Sequence, residues 1–179
     1  MSIYKIKGFT LIELVVVIVI LGILAVTALP RFLNYQQDAH DNRARAAFSA
    51  FVSATQLYHS MWLVENEPSG AVVTGYGDGN IFPSIAGYPR NVDTLNPTKP
   101  DCPELWQDLL QTDLSVEAHS DPILENNADA DVVSWYRADG SCYYYYKSNI
   151  TDYTTDVWTL EYQPLDGTFN VRRDRPLPQ

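Results

Sequence analysis

Histidine and cysteine are scarce in this chain, three and two residues among 179. The histidines, His40, His59 and His119, stand far apart, and neither a His-Glu-x-x-His nor a Cys-x-x-Cys spacing occurs. That excludes the common zinc motifs. Positive charge is short as well: 12 Lys+Arg face 22 Asp+Glu, a formal charge of −10. A single-sign acidic field repels phosphate backbones, so no direct nucleic-acid binding is expected. The run Gly75-Tyr76-Gly77-Asp78-Gly79 lacks the Lys-Ser/Thr that follows in a phosphate loop. It also sets a carboxylate where phosphate would lie, and it reads as a surface loop. There is no Gly-x-Ser-x-Gly elbow, and the length is too small for a multidomain enzyme. No catalytic residue, resident metal or cofactor is expected, and the chain is not read as an enzyme.

What the chain has in abundance is segregated. Mean hydropathy is −0.18, yet residues 9–29, FTLIELVVVIVILGILAVTAL, hold one ionisable side chain, Glu13. At 1.5 Å per residue this run gives about 31 Å of helix, the thickness of a bilayer's hydrocarbon core. The remainder must then be distinctly polar, a soluble acidic head on an apolar stalk. Lys5 and Lys7 before the run favour a cytoplasmic start, with the head beyond the inner membrane. A cleavable secretory signal is one alternative, with small residues near Val26 and Ala28 as its cleavage region. Glu13 speaks against it, because a carboxylate inside an apolar membrane segment is costly and needs a reason.

Residues Lys7-Gly8-Phe9-Thr10-Leu11-Ile12-Glu13-Leu14 closely resemble the processing motif of type IV pilins and type II secretion pseudopilins. The resemblance implies a dedicated prepilin peptidase that cuts between Gly8 and Phe9 and methylates the new amine of Phe9. Pro30 stands where type IV pilins commonly carry a helix-disrupting proline, and a kink is expected there because proline lacks an amide hydrogen and clashes with the preceding turn. The expected fold is α+β and type IV pilin-like, a long N-terminal helix packed on a small antiparallel sheet. Its parts are a leader (1–8), a transmembrane and filament-core helix (9–35), an amphipathic continuation (36–64) and a globular head (65–179). The implied partners are other pilin subunits, the peptidase, the inner-membrane assembly machinery and, before assembly, the lipid bilayer. The implied location is the inner membrane with a periplasmic head, then an extracellular pilus or a periplasmic pseudopilus. Cleavage would place an amine at Phe9, four residues from Glu13. Between packed apolar helices that amine on a neighbour can neutralise the buried carboxylate and fix axial register.

The function this implies is that of a structural pilus subunit supporting adhesion or a related pilus activity. A general likeness to mannose-sensitive haemagglutinin-type pilins, including minor ones, comes from the Cys-containing helix and the Tyr-rich end. The nearest alternative is a minor pseudopilin of a type II secretion system. An alternative of another class is a membrane-anchored periplasmic binding protein or enzyme, which has no use for Gly8-Phe9 or Glu13.

Residues 31–64 contain no Gly or Pro. Phe48, Phe51, Val52, Thr55, Tyr58 and Trp62 recur at helical spacing, broadened by Ala44, Ala47, Ala54, Leu57 and Met61. Asp41 and Arg45 are expected to pair at i, i+4. Residues 70–101 read as a long irregular connection. Residues 103–112 read as a short helix with Leu105, Trp106, Leu109 and Leu110 inward. Strands are expected at 132–137, 142–147, 156–162 and 168–173, with Asp166-Gly167 as a hairpin turn. Tyr143 and Tyr145 should face one side of the sheet, Tyr144 and Tyr146 the other. Cys102 and Cys142, an even pair in an exported head, suggest a disulfide. Asn127, Asp129 and Asp131 offer alternating oxygen ligands for calcium, but Val132 stands where an EF-hand loop needs glycine and the terminal Glu is missing. Asn149-Ile150-Thr151 matches a glycosylation sequon.

Overall fold

The computed structural model describes residues 8–68, 70–92, 100–120, 129–148 and 154–175. It divides into two units, one up to Ala39 and one from His40 onward. Helix α1, Leu11–Val64, contributes to both. In the first unit every side chain of Leu11–Ala28 is exposed, at a mean hydropathy of 3.0. Leu-, Val- and Ile-rich on all sides, this stretch has no polar face to turn to water. The α-helix continues through Pro30.

The second unit is the head. Strands β1 (Ile81–Pro83) and β2 (Pro89–Val92) form an antiparallel pair. Helix α2 (Cys102–Leu109) follows, then β3 (Val116–Ala118), β4 (Val132–Tyr136), β5 (Cys142–Tyr146), β6 (Val157–Gln163) and β7 (Thr168–Asp174). The last five make one sheet in the order β3-β4-β5-β6-β7, antiparallel except that β3 runs parallel to β4. The head part of α1 lays its aromatic stripe on one face of this sheet. Ala44, Phe48, Phe51, Thr55, Tyr58 and Trp62 are buried there. The i, i+3, i+4 spacing keeps these groups on one side of the helix, so burying them costs no break in the backbone.

Phe51 is the centre of the core. Its ring lies 5.5 Å from Trp106, 5.0 Å from Tyr144 and 5.4 Å from Tyr162. Alternation along β5 sends Tyr144 and Tyr146 into this core, while Tyr145 joins Ala130, Val133 and Val157 in a second cluster. Tyr143, also on the far face, is covered by polar neighbours: Arg137 donates to its hydroxyl at 2.8 Å, and its register partner Glu161 pairs with Arg172 at 2.7 Å. All four tyrosines are buried, so neither face of β5 offers a bare aromatic platform.

Three buried tyrosines also use their polar ends. Tyr58 donates to the carbonyl of Ile81 at 2.8 Å, Tyr144 to that of Cys102 at 2.8 Å and Tyr162 to that of Pro89 at 2.7 Å. Each ring fills the core while its hydroxyl satisfies a main-chain carbonyl of β1, α2 or β2, a dual use phenylalanine cannot provide.

Four expectations need correction. Residues 70–101 are not wholly irregular, because β1 and β2 pair across a turn. Gly87 in that turn has φ +80°, and a Cβ there would lie 2.1 Å from Trp62, so only glycine fits. The sheet gains a fifth, parallel strand, β3, only three residues long. Helix α2 ends at Leu109, and Leu110, already extended, is only partly buried. Leu57 is 57% exposed and stands outside the stripe.

Candidate assembly site

Helix α1 begins with a reciprocal cap. The Thr10 amide and hydroxyl donate to Glu13 Oε2 at 2.9 and 2.7 Å, and the Glu13 amide donates to Thr10 Oγ1 at 3.3 Å. This Thr-x-x-Glu capping box satisfies amides that a helix start leaves without partners and sets a negative charge at the positive end of the helix dipole. The motif was legible as Thr10-Leu11-Ile12-Glu13, but a capping role for Glu13 was not among the expectations. Both carboxylate bonds fall on one oxygen, Oε2.

Gly8 precedes the cap, and a Cβ placed on it would meet nothing within 4 Å. Packing among the described residues does not require glycine there. Phe9 is 84% exposed. Gly8, Phe9, Thr10 and Glu13 are thus gathered at one helix end, in front of an apolar surface that the chain itself leaves uncovered. The stretch Leu11–Ala28 is long and apolar enough to cross a membrane. Lys5 and Lys7 lie outside the described residues.

In the head, the structure joins Cys102, in the first turn of α2, to Cys142, at the start of β5, with Cα atoms 5.7 Å apart. Both cysteines are buried. The glycine loop does not hold an anion site, because the Glu65 carboxylate already takes the amides of Thr74 and Gly75 at 3.1 and 2.5 Å. Of the calcium candidates, Asn127 lies outside the described residues. The Asp131 carboxylate is occupied by the Ser115 amide and hydroxyl and by the Ser148 hydroxyl. Burial would raise the Asp131 carboxyl, but these hydrogen bonds and the charge of Arg43 outweigh it and hold the group below its ordinary range. Among the described residues no three His, Cys, Asp or Glu side chains gather as a metal set. The sequon Asn149–Thr151 falls outside them.

The family model for the prokaryotic N-terminal methylation motif matches residues 3–29. The match therefore covers Gly8, Phe9, the capping box and the apolar run together. By this segment the chain is similar to the type IV pilins. Proteins to which it is similar include the type IV major pilin protein PilE1 of Neisseria gonorrhoeae, 45% identical over 67 residues, which are 36% of this chain and 31% of that protein. The fimbrial protein EcpC of Eikenella corrodens is 37% identical over 86 residues, 45% of this chain and 56% of the relative. The type IV narrow pilus major component PilA5 of Thermus thermophilus is 51% identical over 53 residues, 27% of this chain and 46% of the relative. The matched stretches thus span between about a third and just over half of these pilins' lengths. No solved structure matches the chain.

Proposed function

We propose that this protein is a structural, non-enzymatic subunit of a type IV pilus, carried first in the inner membrane with its head in the periplasm and then in an extracellular filament. The observation that carries this reading is the all-exposed apolar helix Leu11–Ala28, interrupted by one carboxylate in its first turn. A surface of that kind must be covered by lipid or by other apolar helices. In this reading a prepilin peptidase cuts between Gly8 and Phe9 and methylates Phe9. The assembly machinery then extracts the helix into the filament, with Pro30 as the point where it yields. The new amine of a neighbouring Phe9 meets Glu13, whose capping bonds to Thr10 persist because the cut leaves Thr10 in place. A lone carboxylate among packed helices would be strongly unfavourable, and the amine is the cation that cleavage itself creates. Surface adhesion is the activity such a fibre would support.

Mass spectrometry of the mature amino terminus tests the processing step. N-methylated Phe9 is expected, and an intact Met1 on subunits that still build fibres refutes it. Glu13→Ala tests the pairing: membrane insertion should persist while incorporation beside wild-type subunits falls, and normal incorporation would exclude the ion pair.

A further inference from the structure

Among the described residues, the head carries an unmatched guanidinium and an unmatched carboxylate on opposite edges of its five-stranded sheet. At the β3–β4 edge, a cleft of about 530 Å³ opens between these strands and the start of α2. Asp101 and Glu104 stand at one wall, with His119, Trp135 and Tyr136 also lining the cleft, and no Lys or Arg lines it among the described residues. Glu104 is exposed and makes no hydrogen bond or ion pair among the described residues.

At the other edge, Trp158 of β6 lies beneath two guanidinium groups. Arg45 of α1 sits 4.3 Å from the ring centroid and Arg173 of β7 sits 5.8 Å from it. Arg173 is held by Asp41 at 3.2 Å and by the Asp156 carbonyl at 3.2 Å. Arg45 is exposed and has no carboxylate partner among the described residues. The neighbouring Arg175 is matched by Asp156 at 3.8 Å. Elsewhere on this edge Arg172 is matched by Glu161 and Asp174, so the edge is balanced in charge and Arg45 is its one guanidinium without a carboxylate among the described residues. The sheet order places it across the full width of the sheet from the acidic cleft.

Complementary patches on different sides of one molecule make a heterologous contact, which builds an open helical array wherever its rotation does not close into a ring. We propose that in the filament the Arg45–Trp158–Arg173 edge of one copy docks on the acidic aromatic cleft of the next, Arg45 against Glu104. This inference rests on the filament reading above and adds to it a contact between heads. Carboxylates beside aromatic rings suit a guanidinium, which pairs with the acid and stacks on the ring. The chain's charge of −10 makes such a contact valuable, because heads brought together otherwise repel.

Charge reversal in the full-length chain tests it, with fibres counted from cells that express the variant as their only copy. R45E and E104R should each lower fibre yield about tenfold, the effect of placing like charges together. The double variant should return to within about twofold of wild type, since it restores the attraction in reverse. Both sites are exposed, and closure of Cys102–Cys142 in each variant verifies that the head is folded. Wild-type yield in the single variants, or a double variant no better than the singles, overturns the proposal. Loss in R45E that E104R fails to rescue assigns the patch to another anion, such as a lipid headgroup, and also overturns it. As a second measure, R45C and E104C chains are co-expressed and oxidised within fibres. A 45–104 cross-linked dimer is expected, and its absence refutes the contact. If the wild-type chain itself builds no fibres, the filament reading has failed instead.

Discussion

Helix α1 meets two different surroundings along its length. Between Leu11 and Ala28 it is apolar on every side and none of it is buried by its own chain. Between Ala44 and Trp62 it is apolar on one stripe, and that stripe is buried to the last ring. A stripe can be satisfied within one molecule, because a sheet has one face to offer. An apolar cylinder cannot, and needs lipid or several other helices around it. The same secondary structure therefore serves folding in one stretch and assembly in the other. The difference is set by where polar side chains interrupt the pattern.

That contrast predicts where substitutions will be felt. Phe51→Ala should have the largest effect, costing the head about 3–5 kcal/mol, since its ring touches Trp106, Tyr144 and Tyr162 and leaves a cavity when removed. Val17→Ala, in the other stretch, should leave the head's urea midpoint in detergent unchanged. Equal shifts for the two would erase the distinction. Removing both cysteines comes next. The bridge spans 40 residues, and its loss should cost on the order of 4 kcal/mol by the chain-entropy argument. Denaturant unfolding of the Cys102→Ala, Cys142→Ala chain measures this, and an unchanged midpoint would show that the core alone holds α2 to β5. Thr10→Ala is expected to cost about 1 kcal/mol at the start of the apolar stretch. Faster amide exchange at residues 11–13 in micelles, with the head unaffected, is the expected sign. Unchanged exchange would mean that the cap does not hold this helix end.

How far the sequence disclosed all this depended on the range of the interactions. The stripe on α1 and the strands β5 to β7 were legible because their partners follow from period alone, 3.6 for the helix and 2 for strands. So was the motif at Gly8 and Phe9, a contiguous string. Strands β1 and β2 were not legible, since each carries a proline that argues against a strand. Nor was β3, too short to alternate. The expected Asp41–Arg45 pair failed for a related reason. Asp41 is taken by Arg173, 132 residues away, and Arg45 turns to Trp158 instead. Local spacing made the helical pair possible, but the fold supplied stronger distant partners. The carbonyls that receive Tyr58, Tyr144 and Tyr162 were hidden in the same way.

The smallest effect expected is of pH, and it belongs to the head alone. Asp139 is held below its ordinary range by the hydroxyl and amide of Ser141. Burial pushes the Glu161 carboxyl up, but the Tyr143 hydroxyl and the Arg172 guanidinium outweigh it, and its pKa too is lowered. In the unfolded chain both groups titrate near their ordinary values of about 4. Above that range they are ionised in both states, and the folded state keeps the full benefit of its hydrogen bonds. As pH falls through the unfolded values and then the folded ones, the unfolded chain takes up protons first, so stability is lost on the acid side. Both groups are partly solvated, which keeps the effect modest. The urea midpoint of the wild type should therefore fall from pH 6 to pH 3 more steeply than that of Asp139→Asn, Glu161→Gln. Parallel curves for the two proteins would mean that these carboxylates do not carry the acid response, and that the head's polar face matters less to its stability than its aromatic one.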